Sequence, residues 1–190
     1  MRTASEGWAE FAIDVKASLI TVQAFASGIV AVIAHSPKFA MRDVSGDIKF
    51  AGETPENASL RTAVRLGSLE IMDEVNAADR REIERVMFDE VLECRAFPLT
   101  EFRSNRVMAT KTGENMYRVN VSGELSLHGV TRKLAFDSQL VVGEDTLRGQ
   151  GSFGVLQSDF NLKIASVASG TLKLRDELRI GFFLIARRKE

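Results

Sequence analysis

Apolar and polar residues alternate along most of this chain, and the longest regular run is Tyr117–Leu127. Its odd-numbered positions are apolar or small and its even-numbered positions are polar, which predicts a long strand with one dry and one wet face. The same alternation predicts strands over Leu60–Leu66, Leu134–Val142 and Leu178–Ala186. Weaker alternation predicts further strands over Trp8–Val15, Leu19–Ala26, Val44–Phe50, Thr100–Val107 and Thr146–Val155.

One segment, residues 76–94, departs from this period of two. Its apolar residues recur at spacings of three and four, and charged residues fill the positions between them. Asn76 or Asp79 can cap the start of a helix, and Pro98 prevents its continuation. The segment therefore predicts one amphipathic helix, inserted between two strands and packed as a lid over one end of the fold.

Many short strands joined by turns, without alternating helices, predict an all-β fold. We expect residues 1–190 to form a single domain, a closed antiparallel β-barrel of about eight or nine strands, with residues 1–7 flexible. Gly143-Glu144-Asp145 is a turn signal, and Asp176-Glu177 interrupts an apolar stretch and also predicts a turn. Gly149–Gly154 lacks the Lys-Ser/Thr end of a phosphate loop, so its glycines indicate strand bends or a close ligand approach.

The inward face of the predicted barrel is apolar and includes several phenylalanines. Such an interior either packs solid or holds one ligand. Small or polar residues at the inward positions Thr62, Gly123 and Ser138 favour a cavity. The predicted ligand-binding residues are Ile20, Val22, Val64, Leu66, Phe102, Val119, Val121, Leu125, Phe136, Leu140, Phe153 and Phe182.

Composition excludes several classes of function. The chain has 25 basic and 26 acidic residues and a formal net charge of −1, which argues against nucleic acid as a partner. Its single cysteine, Cys94, cannot form a disulfide framework and is expected to be a buried, unreactive thiol. The apolar stretch from 19 to 34 is too short and too polar to span a bilayer. The first seven residues lack an export signal, so we expect a cytoplasmic protein.

Candidate catalytic residues are few. Ser126 and His128 lie on the wet face of one strand, so a Ser–His pair is conceivable, and Asp159 offers an alternative acid or base. The alternative interpretation makes His128 a turn residue that bonds backbone carbonyls, and His35 is interpreted in the same way. No metal-ligand spacing is present in the sequence, and we expect no catalytic residues, no metal and no cofactor other than a bound lipid.

Several stretches in this order resemble the YceI-like family, whose members form lipocalin-like barrels that bind polyisoprenoids. The strongest is Gly123-Glu124-Leu125-Ser126-Leu127-His128-Gly129-Val130-Thr131, which is similar to the family's GxLxxHGVT motif. The other matching stretches are Phe11-Ala12-Ile13-Asp14, Val44–Phe50, Phe88-Asp89, Phe97-Pro98, Phe102-Arg103-Ser104 and Ser158-Asp159-Phe160. Two sites depart from the pattern: Ala17-Ser18 replaces a His-Ser pair, and Asn161 replaces a glycine.

The resemblance implies a lipocalin-like barrel that binds a polyisoprenoid or an isoprenoid-quinone tail for storage, shielding or transport. It implies no catalytic activity, and family members are usually exported. The expected partner is an isoprenoid or another long-chain amphiphile, with no integral membrane segment, and a homodimer is allowed. Two alternatives stay open: an enzyme that acts on a lipid-like substrate through His128, Ser126 or Asp159, and a solid barrel whose surface binds another protein.

Overall fold

The computed structural model describes residues 8–27, 36–51, 54–164, 166–167 and 172–189. The expectations for residues 1–7 and His35 lie outside this part of the chain. The described strands are β1 (Trp8–Ile13), β2 (Leu19–Ser27), β3 (Lys38–Met41), β4 (Val44–Ala51), β5 (Ser59–Arg65), β6 (Leu69–Ile71), β7 (Leu99–Gly113), β8 (Met116–Leu127), β9 (Val130–Val142), β10 (Thr146–Leu156), β11 (Ser166–Val167) and β12 (Leu172–Arg188).

Eight of these strands form a closed ring in the order β1, β4, β5, β7, β8, β9, β10 and β12. Antiparallel pairing between β1 and β12 closes the ring, with Phe11 opposite Arg188 and Ile13 opposite Ala186. Every pairing in the ring is antiparallel. The predicted all-β, lipocalin-like barrel is therefore confirmed.

Three pairs of strands each continue one wall of the barrel past a bend. Strands β1 and β2 both pair with β12. On their other sides, β4 pairs with β1 and β3 pairs with β2. Beyond these, β5 pairs with β4 and β6 pairs with β3. At the first bend the buried Ser18 hydroxyl accepts from the Ile185 amide at 3.1 Å and donates to its carbonyl at 3.3 Å. This side chain ties the bend to β12 where regular strand pairing lapses.

Three details differ from the sequence-based expectations. Strands β3 and β6 were not predicted, because runs of four and three residues are too short to show alternation. Leu66 begins a 3₁₀ turn, Leu66–Ser68, rather than ending a strand. Asp176-Glu177 is not a turn: it lies within β12, where the register with β2 shifts between Leu174 and Leu178. A β-bulge absorbs polar residues without breaking the strand.

The predicted amphipathic segment is helical. Helix α1 (Ala77–Arg85) follows Asn76, whose side chain accepts from the amides of Ala78 at 3.0 Å and Asp79 at 2.9 Å. The chain continues as a π-helical turn over Val86–Val91, so the segment is not one uniform α-helix. The apolar side of this helix packs against the barrel core, as expected of a lid.

Candidate ligand-binding cavity

The barrel interior holds a cavity of about 230 Å³, so the barrel is not solid. All twelve residues predicted to bind a ligand line this cavity. They are Ile20, Val22, Val64, Leu66, Phe102, Val119, Val121, Leu125, Phe136, Leu140, Phe153 and Phe182. Their placement follows from strand parity, since alternate residues share one face of a strand. That they contact a ligand stays a prediction.

Four phenylalanine rings cluster on one side of the cavity, around Phe136. Its ring centroid lies 5.4 Å from that of Phe102, 5.0 Å from Phe153 and 5.4 Å from Phe182. Gly151 makes room for the β9 backbone and for this cluster, because a Cβ atom there would lie 2.6 Å from the Asp137 carbonyl oxygen and 2.7 Å from the edge of the Phe182 ring. The rings give the cavity wall a large apolar surface of fixed shape.

The two ends of the cavity are closed differently. Met87, Val91 and Leu92 of the lid line one end, and their side chains come from the π-helical turn and the residue that follows it. Pro55 and Ala58, from the connection between β4 and β5, line the opposite end. The lid end therefore consists of side chains from a helix that is not part of the strand ladder.

Sequence reasoning missed part of the lining. Phe39 and Met41 of β3 and Leu69 of β6 face the cavity, as do the lid residues. The lid residues carried a signal, the apolar face of the predicted helix, but that face was not assigned to the cavity. Gln157 also lines the cavity, and a glutamine at the end of a strand gives no apolar signal.

One residue expected to leave room, Gly123, does not line the cavity. A Cβ atom on Gly123 would lie 2.2 Å from the Arg103 carbonyl oxygen and 2.7 Å from Cζ of Phe102, so this glycine makes room for the backbone of β7 and for the Phe102 ring. Thr62 and Ser138, the other two, do line the cavity.

The lining is almost free of charge. Among the described lining residues, Glu101 alone is charged, and none is lysine, arginine or histidine. The Thr100 hydroxyl donates to the Ser126 carbonyl at 2.9 Å, and the Ser138 hydroxyl donates to the Gln150 carbonyl at 3.2 Å. A cavity of this composition suits a hydrocarbon chain and gives an ionised group no partner.

The candidate catalytic residues are not brought together. The Ser126 hydroxyl forms a hydrogen bond with the Thr131 hydroxyl at 2.8 Å, whereas His128 Nε2 forms one with Glu93 Oε2 at 2.8 Å. Asp159 is exposed in the 3₁₀ turn Ser158–Phe160. None of Ser126, His128 and Asp159 lines the cavity.

His128 lies in a turn, as predicted, but its partner is not a backbone carbonyl. It forms the two-residue connection between β8 and β9 with Gly129, and both residues have positive φ, 51° and 73°. Its ring packs against Phe97 at 4.3 Å and its side chain is only 9% exposed. The contact with Glu93 joins this turn to the segment that follows the lid.

The thiol of Cys94 is half-buried, and burial, aided by the Asp89 carboxylate, raises its pKa. A thiol that stays protonated at neutral pH is a poor nucleophile and a poor metal ligand. Across the described ranges, no three His, Cys, Asp or Glu side chains are placed to hold a metal ion. The described helices include none that is long and apolar enough to cross a membrane.

The model of the YceI-like domain family matches residues 11–186. BcnA of Burkholderia cenocepacia has a similar structure, with a TM-score of 0.69, 18% identity, and coverage of 91% of this chain and 98% of that one. A polyisoprenoid-binding domain from Saccharophagus degradans gives a TM-score of 0.68 at 14% identity, covering 94% of this chain and 98% of that one.

The YCEI protein of Campylobacter jejuni gives a TM-score of 0.56 at 15% identity, covering 80% of this chain and 85% of that one. At these identities the likeness concerns the fold. A search of curated proteins gives no match. The family model covers almost the whole barrel, from Phe11 in β1 to Ala186 in β12, where the pairing with β1 begins. The chain therefore belongs to the YceI-like family.

Proposed function

We propose that this protein binds a long apolar amphiphile, a polyisoprenoid or the isoprenoid tail of a quinone, inside the barrel, and stores, shields or transports it. The observation that carries the proposal is the apolar, almost uncharged cavity that extends from the lid to the β4–β5 connection. The similarity in fold to a polyisoprenoid-binding domain supports it.

Desolvation of the chain provides the affinity. Each buried CH₂ group contributes roughly 0.8 kcal/mol. Association costs about 4–15 kcal/mol in lost translational and rotational freedom. Several isoprene units must therefore be buried before a useful surplus is left, which favours a long chain over a short lipid fragment.

The arrangement of the polar groups favours a carrier over an enzyme. The hydroxyl of Ser126 and the ring of His128 have different partners, and neither side chain reaches the cavity. A lipid held in the interior would meet phenylalanine, valine and leucine side chains, which offer neither a nucleophile nor a proton donor. A cytoplasmic location and a homodimer stay predictions.

Mass spectrometry of an organic extract of freshly purified protein tests the proposal. We expect a long-chain isoprenoid in the extract of the wild-type protein and also of the double variant Ser126→Ala/His128→Ala. An extract without long-chain lipid, from protein that also fails to take up an isoprenoid alcohol added to it, would contradict the proposal. A double variant that loses a turnover present in the wild type would favour the enzyme instead.

A further inference from the structure

One polar side chain of the cavity wall, that of Gln157, is buried at the lid end. It follows β10 and precedes the 3₁₀ turn Ser158–Phe160, and it is 4% exposed. Leu162, Leu174 and Leu178 line the cavity on the neighbouring segments. A buried amide in such surroundings requires hydrogen-bond partners for both its nitrogen and its oxygen.

Hydrogen bonds fix the position of Gln157. Its backbone amide donates to the Asp176 carbonyl at 2.9 Å, and its backbone carbonyl accepts from the amides of Phe160 and Leu162, each at 3.1 Å. Its side-chain Nε2 donates to the Arg175 carbonyl at 2.9 Å. Only the nitrogen of an amide can donate to a carbonyl, so this bond also determines which end of the side-chain amide is the oxygen.

The side-chain oxygen of Gln157 has no hydrogen-bond donor among the described residues. By contrast, the Thr100 and Ser138 hydroxyls already donate to backbone carbonyls. The Thr62 hydroxyl has no described hydrogen bond either, but Thr62 lies mid-strand on β5, opposite Gly46 and Phe102, away from the lid.

We propose that Gln157 Oε1 accepts a hydrogen bond from a hydroxyl head group of the bound chain, so that the ligand is a neutral long-chain alcohol or quinol with its head at the lid end. This inference rests on the proposed function. A head group that has only acceptors cannot donate a hydrogen bond to Oε1, and its lone pairs would repel those of the amide oxygen. A phosphate head group would find no cation among the described lining residues.

Competition binding with matched probes tests this assignment. The probes are geranylgeraniol, its methyl ether and geranylgeranyl phosphate, each displacing an apolar fluorescent dye from the whole protein. One neutral hydrogen bond corresponds to a ratio of about three- to tenfold in affinity. We expect the wild-type protein to bind the alcohol more tightly than the ether by this ratio, and the phosphate most weakly.

The variant Gln157→Met keeps the length of the side chain and removes its polar atoms, and we expect it to bind the alcohol and the ether equally. Thr62→Val is the matched control and should keep the preference for the alcohol. The assignment is overturned if the wild-type protein binds the alcohol and the ether equally. It is also overturned if the preference for the alcohol survives Gln157→Met or disappears with Thr62→Val. Binding of none of the probes by the wild type contradicts the proposed function itself, which separates the two failures.

Should Gln157→Met fail to fold, the wild-type protein still decides. The side-chain amide resonances of Gln157 in an NMR spectrum should move when the alcohol is bound and not when the ether is bound. Identical shifts with both probes would overturn the proposal.

Discussion

The two halves of the barrel wall are built differently. The half from β7 to β10 consists of unbroken strands of 15, 12, 13 and 11 residues. In the half from β1 to β6, each wall strand is divided by a bend into two shorter strands. The unbroken half provides three of the four clustered phenylalanine rings, and the divided half leads into the lid. Regular strands thus shape the cavity, and bends provide the means to close it.

The first prediction concerns the unbroken half and has the largest expected effect. Val121 is 5% exposed and lines the cavity, so Val121→Asp places a carboxylate there without a partner. We expect a loss of about 3 kcal/mol or more in the free energy of unfolding, and no lipid in the organic extract. Chemical denaturation and mass spectrometry measure the two effects.

The matched control is Ser122→Asp, one residue along β8 on the outer face and opposite Arg106. It should fold normally and keep its lipid. A Val121→Asp protein that folds and carries lipid at the wild-type level would show that the interior of the barrel is not the binding site.

The second prediction concerns a strand in the divided half, β4. Gly46 has a φ of 151°, and a Cβ atom there would lie 2.0 Å from the Arg61 carbonyl oxygen. Gly46→Ala should therefore lower the free energy of unfolding by about 2–3 kcal/mol, since both the backbone conformation and the contact become strained. Gly149→Ala is the control in the unbroken half, because its nearest contact would be 3.7 Å away. Equal stabilities for the two variants would contradict this role of Gly46.

The third prediction concerns the contact between the two halves at the lid end. His128→Ala removes the hydrogen bond to Glu93 and places an alanine at a position with positive φ, a conformation that alanine disfavours. His128→Asn also removes the ring, but asparagine tolerates this conformation. We expect a loss of about 1–2 kcal/mol for His128→Ala, a smaller loss for His128→Asn, and retained lipid in both. Thermal unfolding measures the difference, and loss of lipid at an unchanged melting temperature would count against a structural role.

The fourth and smallest effect is a dependence on pH at the first bend. The Arg187 guanidinium, 2.7 Å from Asp14 Oδ2, lowers the pKa of that carboxyl group, aided by the backbone amides of Ala17 and Lys16. Because folding lowers this pKa, the ionised carboxylate stabilises the folded protein at any pH above the ordinary carboxyl pKa of about 4. This stabilisation is lost as the pH falls from about 4 through the lowered pKa of the folded state.

Both Asp14→Asn and Arg187→Gln should therefore reduce the loss of stability between neutral and acidic pH. Denaturation midpoints measured over this range test the effect. An acid dependence identical to that of the wild type in both variants would show that this ion pair contributes nothing.

The sequence predicted the unbroken half well, because its alternation runs long enough to determine which face is dry. Val121 and Phe136 were assigned to the interior on that basis and line the cavity. In the divided half, each bend interrupts the alternation after a few residues, so β3 and its Phe39 were missed. The contact between Glu93 and His128 joins residues 35 positions apart, and no local pattern indicates it.

Gln157 shows a different limit of sequence reasoning. A polar residue that follows a strand and precedes a turn is ordinarily solvated. Here the bulge in β12 brings the Arg175 carbonyl within 2.9 Å of its side-chain nitrogen, and the amide is buried as a result. The same bulge explains why Asp176-Glu177 was misassigned as a turn.

The central claim is that an isoprenoid chain lies inside the barrel, and intermolecular nuclear Overhauser effects test it most directly. The protein would be labelled at its valine and leucine methyl groups and loaded with geranylgeraniol. We predict contacts between the ligand and the methyl groups of Val64, Val121 and Leu140, all of which line the cavity. None should reach Val141 and Leu156, whose side chains are 41% and 43% exposed and do not line it. Contacts to Val141 and Leu156 without contacts to Val121 would place the chain outside the barrel and contradict the account.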